Sequence, residues 1–299
     1  MGVIADAFSV LLALIAASVM SSALERILLR RAAEPGPAAL ALPGGLREQG
    51  ADRWMHAAGP VVALSGVALA MVVIPFGPKF IGADLGIGVF YVLVVVDLLA
   101  LGLALGGWGA GSKPAIDVYY RACAQLVAYV VPIGMAYVGA MMMARSLSTV
   151  AIVEAQSSLW YVVTQPIGFA LYIASGLMQC YRPPFAEPFS KHIGRGVLGV
   201  AGGWQALVWR LALDGLLFVV AAMGAVLYLG GWQGPLLPPW AWMLIKTYAL
   251  MALMLWLGAR IRPMSTARML ELSWKVFTPI GLVNVLVVGV LILFGLGAP

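Results

Sequence analysis

Charge is scarce in this chain. Asp, Glu, Lys and Arg make up 10% of its 299 residues, where a soluble domain carries about 25%. That shortage excludes an ordinary water-facing surface. Cysteine and histidine are scarcer still. Cys123, Cys180, His56 and His192 are each isolated in sequence. They form no CxxC, no disulfide framework and no metal-ligand cluster. No nucleophile elbow, phosphate loop or dinucleotide fingerprint is present. The chain is therefore expected to bind no flavin, haem, iron–sulfur cluster or metal of its own, and to carry out no redox chemistry alone. Period-2 alternation is missing, which argues against a β-barrel. The formal net charge is +6, but the basic residues form no stripe, so no nucleic-acid partner is expected.

Apolar length is what the chain does have. Hydrophobic residues make up 63% of it, and a helical membrane crossing needs about 20 apolar residues in a row. The stretches 3–24, 59–76, 85–106, 122–144, 159–178, 207–229, 240–259 and 276–296 each qualify. Helices satisfy their own backbone hydrogen bonds, which lipid cannot do. The expected fold is an all-α integral membrane protein of about eight transmembrane helices, one domain over residues 1–299. The polar stretch 45–57, GLREQGADRWMHA, is too short to span and is expected to be an amphipathic helix on the membrane surface. The first stretch has no basic segment before it, so it reads as an uncleaved helix rather than a signal peptide.

Of 18 Lys and Arg residues, 14 fall in alternate gaps between these stretches. Short loops rich in Lys and Arg stay in the cytoplasm. The odd-numbered gaps, with Arg26, Arg53, Lys113, Arg182 and Arg260 among others, are therefore expected on the cytoplasmic side. Both termini then face the periplasm of a bacterial inner membrane.

Charges inside apolar stretches are costly and mark function by default. Asp97 stands alone in VFYVLVVVDLLALGLALGGW and is expected to border a polar cavity or another subunit. Asp214 follows Arg210 by four residues, on the same helix face, so the two are expected to pair. The bland alternative is an ion pair that only fixes packing. Lys246 lies near the start of the seventh helix, where a lysine can snorkel to the interface. Glu25 and Arg26 end the first helix, a place that tolerates charge.

Loop and helix motifs then point to one family. Residues 74–108, IPFGPKFIGADLGIGVFYVLVVVDLLALGLALGGW, 111–125, GSKPAIDVYYRACAQ, and 146–156, SLSTVAIVEAQ, occur in that order. They are followed by YRPPF (181–185), LGGWQGP (229–235), IKT (245–247) and WKVFTPIGLVNVL (274–286). Together they resemble the H subunit of respiratory complex I, a membrane component of the NADH:quinone oxidoreductases. The resemblance implies a role at the membrane end of a quinone cavity beneath the peripheral arm, with quinone as substrate of the complex. It also implies peripheral-arm quinone-site subunits and neighbouring membrane subunits as partners, in a respiratory translocase that moves protons. The quinone-cavity residues it implies are Glu25, Arg26, Asp52, Arg53 and Arg182.

The acids of that family are largely replaced. In its acidic loop, the first glutamate becomes Gln179, the aspartate Ala186, and later acids Phe189, Lys191 and Ile193. A buried glutamate of the fourth helix becomes Val130, and one of the sixth falls at Leu213, beside Asp214. Asp97, Asp117 and Asp214, with Arg210 and Lys246, are the candidates for a remaining proton path. Two other readings stand beside this one. The first is the membrane anchor of an energy-converting hydrogenase or formate hydrogenlyase-type complex. The second is a standalone transporter, against which the lack of an internal repeat counts.

Overall fold

A computed structural model of the chain describes residues 52–78, 80–186 and 203–295, with four isolated positions, 16, 19, 20 and 23. The predicted first helix, 3–24, and residues 45–51 of the predicted surface helix lie outside the described residues. Among the described residues the regular structure is helical. Six helices there are long and apolar enough to cross a membrane.

Helix α1 is Arg53–Val72, preceded by Asp52, whose carboxylate accepts from the Trp54 and Met55 N–H groups. Of the expected surface helix 45–57, the described part from Arg53 on is continuous with α1. Residues 53–57 are the opening turns of a spanning helix, because Asp52 satisfies the N–H groups that a helix start leaves bare. Helices α2 (Gly88–Val95) and α3 (Leu98–Gly109) together make the next crossing. α1 and α3 meet through glycine. A Cβ on Gly59 would stand 2.8 Å from the Gly102 carbonyl oxygen, and one on Gly102 would stand 2.5 Å from that of Gly59. Lipid offers no hydrophobic drive for helix pairing, so such close backbone packing supplies the contact instead.

Helix α4, Lys113–Ala144, starts nine residues before its predicted boundary. Its first turns are polar, which hides them from an apolar window, yet Ser112 caps them and Asp117 pairs with Arg121 one turn on. At 32 residues it is about 48 Å long, well beyond the roughly 30 Å hydrocarbon core. Pro132 lies inside it. A proline leaves the carbonyl four residues back without its helical donor. That carbonyl belongs to Ala128, and the Ser273 hydroxyl donates to it.

The predicted fifth helix, 159–178, is divided in two and preceded by a short helix. Helix α5 is Thr149–Ala155, α6 is Tyr161–Thr164, and α7 is Pro166–Gln179. The residue before a proline is disfavoured in helical geometry, and Gln165 before Pro166 is where the chain leaves and re-enters helix. Helix α8, Trp204–Tyr228, is the centre of the bundle; every residue from Asp214 to Tyr228 is buried. Helix α9 is Pro239–Arg260. Helix α10 (Thr266–Leu272) runs through a π-helical turn, Ser273–Phe277, into α11 (Thr278–Leu293). This last crossing begins ten residues before its predicted start. Its outer face leaves Leu282, Val283, Leu286 and Leu293 exposed.

Candidate functional site

Two carboxylate-centred clusters lie among the apolar helices of the described residues. The first surrounds Asp97. The backbone tightens there: Asp97 N–H bonds to the Val94 carbonyl, Leu99 to Val96 and Ala100 to Asp97. These are i to i−3 bonds, and they separate α2 from α3 without any proline or glycine at the break. Asp97 Oδ1 accepts from the Tyr129 hydroxyl of α4 at 3.0 Å and from Gln179 Nε2 of α7 at 3.3 Å. Gln125, one turn before Tyr129, donates to the Met178 carbonyl at 2.5 Å. Tyr129, Gln125 and Gln179 are fully buried. The Oε1 atoms of both glutamines are buried without a hydrogen-bond partner. No Lys or Arg lies within ion-pair distance of Asp97 among the described residues. Gln179, where the family resemblance marks a lost acid, is a donor to a carboxylate on another helix. The signal for Gln125 and Tyr129 is legible in sequence, since a glutamine and a tyrosine four apart in an apolar helix share a face.

The second centre surrounds Asp214 of α8. Arg182 donates to its Oδ1 at 2.6 Å, and Arg210 stands 3.7 Å from its Oδ2. Side-chain exposures of 7% for Asp214, 16% for Arg182 and 21% for Arg210 place this triad out of bulk water. Both guanidinium groups converge on this one carboxylate. The structure thus joins Arg182, expected at the quinone cavity, to two residues expected in a proton path.

Local geometry sets Arg182. Cys180 ends α7, Tyr181 takes the left-handed conformation (φ 53°), and Arg182 N–H returns to the Leu177 carbonyl while Tyr181 N–H reaches Met178. This is a Schellman closure with tyrosine where glycine is usual, a strain of about 1–2 kcal/mol. The next residues are pinned. Met264 N–H donates to the Pro184 carbonyl, and the Pro183 carbonyl lies so close to Gly258 that a Cβ there would collide with it. Burial pushes the Cys180 thiol up to about 12.

The other candidates sit elsewhere. Asp117 pairs with Arg121 at 2.9 Å, with the aspartate half exposed. Asp52 is the α1 cap, and Arg53 beside it is exposed. Glu25 and Arg26 lie outside the described residues. Lys246 donates to the Leu229 and Gln233 carbonyls, 2.6 Å each, and stands 4.3 Å over the Trp160 ring. No carboxylate reaches it among the described residues.

Lys246 belongs to a clamp that explains three motifs at once. Gln156 of IVEAQ donates to the Ile152 and Val226 carbonyls and accepts from the Tyr161 and Gly230 N–H groups. Gln233 of LGGWQGP donates back to the Val153 carbonyl. Gly230 and Gly231 have positive φ (67° and 46°), and a Cβ on Gly231 would stand 2.7 Å from the Val153 side chain. In sequence these motifs serve only as marks of the family; nothing in their spacing shows that they hold one another.

Among the described residues, no three His, Cys, Asp or Glu side chains come together to hold a metal ion. Residues 44–289 match the NADH dehydrogenase family. The H subunit numbered 2 of the NADH-quinone oxidoreductase of Geobacter sulfurreducens is 33% identical over 260 residues, covering 83% of this chain and 78% of the relative. Its counterpart of the same number in Syntrophobacter fumaroxidans is 34% identical over 256 residues, 82% and 77% of the two chains. The H subunit of the Geobacillus kaustophilus enzyme is 30% identical over 245 residues, 80% and 74%.

Proposed function

Because the chain belongs to the NADH dehydrogenase family, as a divergent relative of the H subunits of the NADH-quinone oxidoreductases, we propose that it lines a quinone cavity and anchors the peripheral arm of a proton-translocating complex. The observation that carries the reading is the Arg182–Asp214–Arg210 triad. Arg182 belongs to the fifth gap of the sequence, one of the Lys- and Arg-rich gaps that the charge rule assigns to the cytoplasm. Both termini then face the periplasm of a bacterial inner membrane.

Quinone reduction develops negative charge on the ring oxygens before protons arrive. A guanidinium held partly out of water by a fixed carboxylate stabilises that charge more than solvent does. Arg182 offers a planar fork of donors and stays charged throughout. Asp214 fixes its direction. Asp52, Arg53, Glu25 and Arg26 complete the cytoplasmic-side lining in this reading. Asp97 and the triad serve the proton path. Asp117 and Lys246 serve the scaffold, the first in an open pair and the second at the outer clamp.

The test is a mild-detergent pull-down of the tagged chain from its native membrane, followed by mass spectrometry. Recovery with quinone-site peripheral subunits and antiporter-like membrane subunits supports the reading. Recovery with a nickel hydrogenase instead would transfer the chain to the hydrogenase-anchor reading, and recovery alone would leave the transporter reading to pursue.

A further inference from the structure

Arg145 stands apart from the other cations of the chain. With Lys79 it is one of two basic residues in the even-numbered gaps, which the charge rule places in the periplasm. It follows the last residue of α4 in the left-handed conformation, φ 50° and ψ 28°, which favours glycine or asparagine. Its backbone N–H returns to the Met142 carbonyl. The residue is exposed, and no carboxylate lies within ion-pair distance of it among the described residues. Asp84, in the loop before α2, is engaged by the Ser148 hydroxyl at 3.2 Å. A cation at a helix C-terminus suits the helix dipole, but the dipole does not account for the groove beside it.

That groove, of about 520 Å³, runs between the Gly86 turn and the last turns of α4. Its size is in the range of small-molecule sites, about 300–1,000 Å³. Val138, Met141 and Met142 form its length, and Arg145 and Ser146 its polar end. Val138 precedes Arg145 by two helical turns, about 10 Å. A Cβ on Gly86 would meet nothing within 4 Å, so the groove is open on that side. The Ser146 hydroxyl accepts from the Ser148 N–H at 3.1 Å, which leaves its own proton to donate.

Depth follows from helix length. The surplus of α4 lies at its polar Lys113 end, where Asp117 and Arg121 pair. From Arg121 to Arg145 the helix rises about 36 Å, slightly more than the roughly 30 Å hydrocarbon core. Arg145 is therefore at headgroup level, and Val138 to Met142 lie at the level of the acyl chains. A free phosphate would use the polar end alone. An apolar helix would leave the guanidinium without a counter-charge. A charged amphiphile satisfies both ends.

We propose that this groove binds an anionic phospholipid of the outer leaflet, with its phosphate on Arg145 and the Ser146 hydroxyl and one acyl chain along Val138, Met141 and Met142. Guanidinium offers phosphate two parallel donors, and methionine adapts its shape to a mobile chain. The inference uses the proposed orientation only to name the leaflet and is independent of the quinone reading.

The experiment uses phosphatidylglycerol with a photoactivatable diazirine on one acyl chain. It is added to the detergent-purified complex that holds the tagged chain, whatever that complex proves to be. After irradiation, mass spectrometry locates the modified peptides. Modification within residues 138–147 is expected. Unlabelled phosphatidylglycerol is expected to compete at about fivefold lower concentration than phosphatidylcholine, the preference that one cation at a charged lipid surface confers. Arg145→Gln is expected to abolish that preference while the modification persists. Gly86→Phe, which fills the groove from its open side, is expected to lose the modification, and the thermal midpoint of each variant checks folding. An unmodified 138–147 segment, as a neighbouring subunit on this face would give, overturns the proposal. Equal competition by the two lipids does so too, as does competition by inorganic phosphate as strong as that by lipid. A folded Gly86→Phe variant modified as the parent is, or a folded Arg145→Gln variant that keeps the preference, also overturns it. The competition in the parent chain needs no variant, so the proposal stays open to refutation even where a substitution impairs folding.

Discussion

Replacing Gln156 with leucine keeps the side chain's bulk and removes four hydrogen bonds. The two it accepts come from the buried Tyr161 and Gly230 N–H groups, at 3.2 and 3.0 Å. The two it donates, at 3.1 and 2.8 Å, go to Ile152 and Val226. Those carbonyls lie in the last turns of α5 and α8, where a helix has no donors of its own. A buried group left without a partner costs about 1–3 kcal/mol, and N–H groups tolerate this less well than carbonyls. The two N–H groups alone therefore set a loss of about 2–6 kcal/mol. The added apolar burial of leucine offsets on the order of 1 kcal/mol. A net loss near 3 kcal/mol, at the low end of about 2 °C per kcal/mol for a chain of this size, lowers the unfolding midpoint by about 6 °C. Tryptophan fluorescence during heating of the detergent-purified chain measures it, because Trp160 and Trp232 lie in the clamp. Gln156→Glu keeps the acceptor and loses the donors, so it is expected to fall between parent and leucine. A leucine variant within about 1 °C of the parent refutes the clamp.

Asp214→Asn removes the carboxylate that Arg182 and Arg210 share and is expected to cost about 3 kcal/mol or more, as breaking a buried pair does. In a double-mutant cycle with Arg182→Met, additive effects would show that the 2.6 Å contact contributes nothing. Gly258→Ala is expected to push the Pro183–Pro184 segment off α9 and to lower quinone reductase activity more than it lowers the thermal midpoint; unchanged activity would separate that contact from Arg182 positioning. Cys180, buried and with its thiol raised to about 12, stays protonated at neutral pH, so it is expected to resist maleimide until the chain is denatured. Labelling in the native state would contradict its burial. Lys246→Met is expected to lower stability, through two lost carbonyl bonds, while leaving the proton-to-electron ratio of assembled complexes unchanged; a changed ratio would return Lys246 to the proton path.

Hydropathy places the spanning helices well because lipid tolerates so few sequences. It fails where polarity or proline mixes with the apolar run. The start of α4 at Lys113 is invisible to it because Asp117 and Arg121 satisfy each other locally, outside any apolar window. The division at Gln165 is marked by Pro166, but a wide window averages such a signal away. Local pairing is legible too: the four-residue spacing of Arg210 and Asp214 foretells their contact. Long-range partners are not. Nothing near Asp97 in sequence names Tyr129 or Gln179, and nothing near Arg182 names Asp214, since these contacts exist only after four helices have packed. The family resemblance even misdirects attention at Gln179 and Val130, where an acid is missing from its usual position. A carboxylate from a different helix touches Gln179 and Tyr129, the neighbour of Val130.

Three departures from regular helix meet at one level of the bundle. The backbone is too tight at Asp97, interrupted by Pro132 below Ala128, and too wide through Ser273–Phe277. Ser273 touches Ala128, and Tyr129 beside it holds Asp97. Regular helices resist torsion because every turn must break a bond to twist. Here one of those bonds is already replaced by the Ser273 hydroxyl, and those at Asp97 run to carbonyls three residues back, so the bundle's compliance is expected to be concentrated in a single fault plane. Strain delivered to the protein at either membrane surface is expected to be taken up beside the carboxylate that sits in that plane.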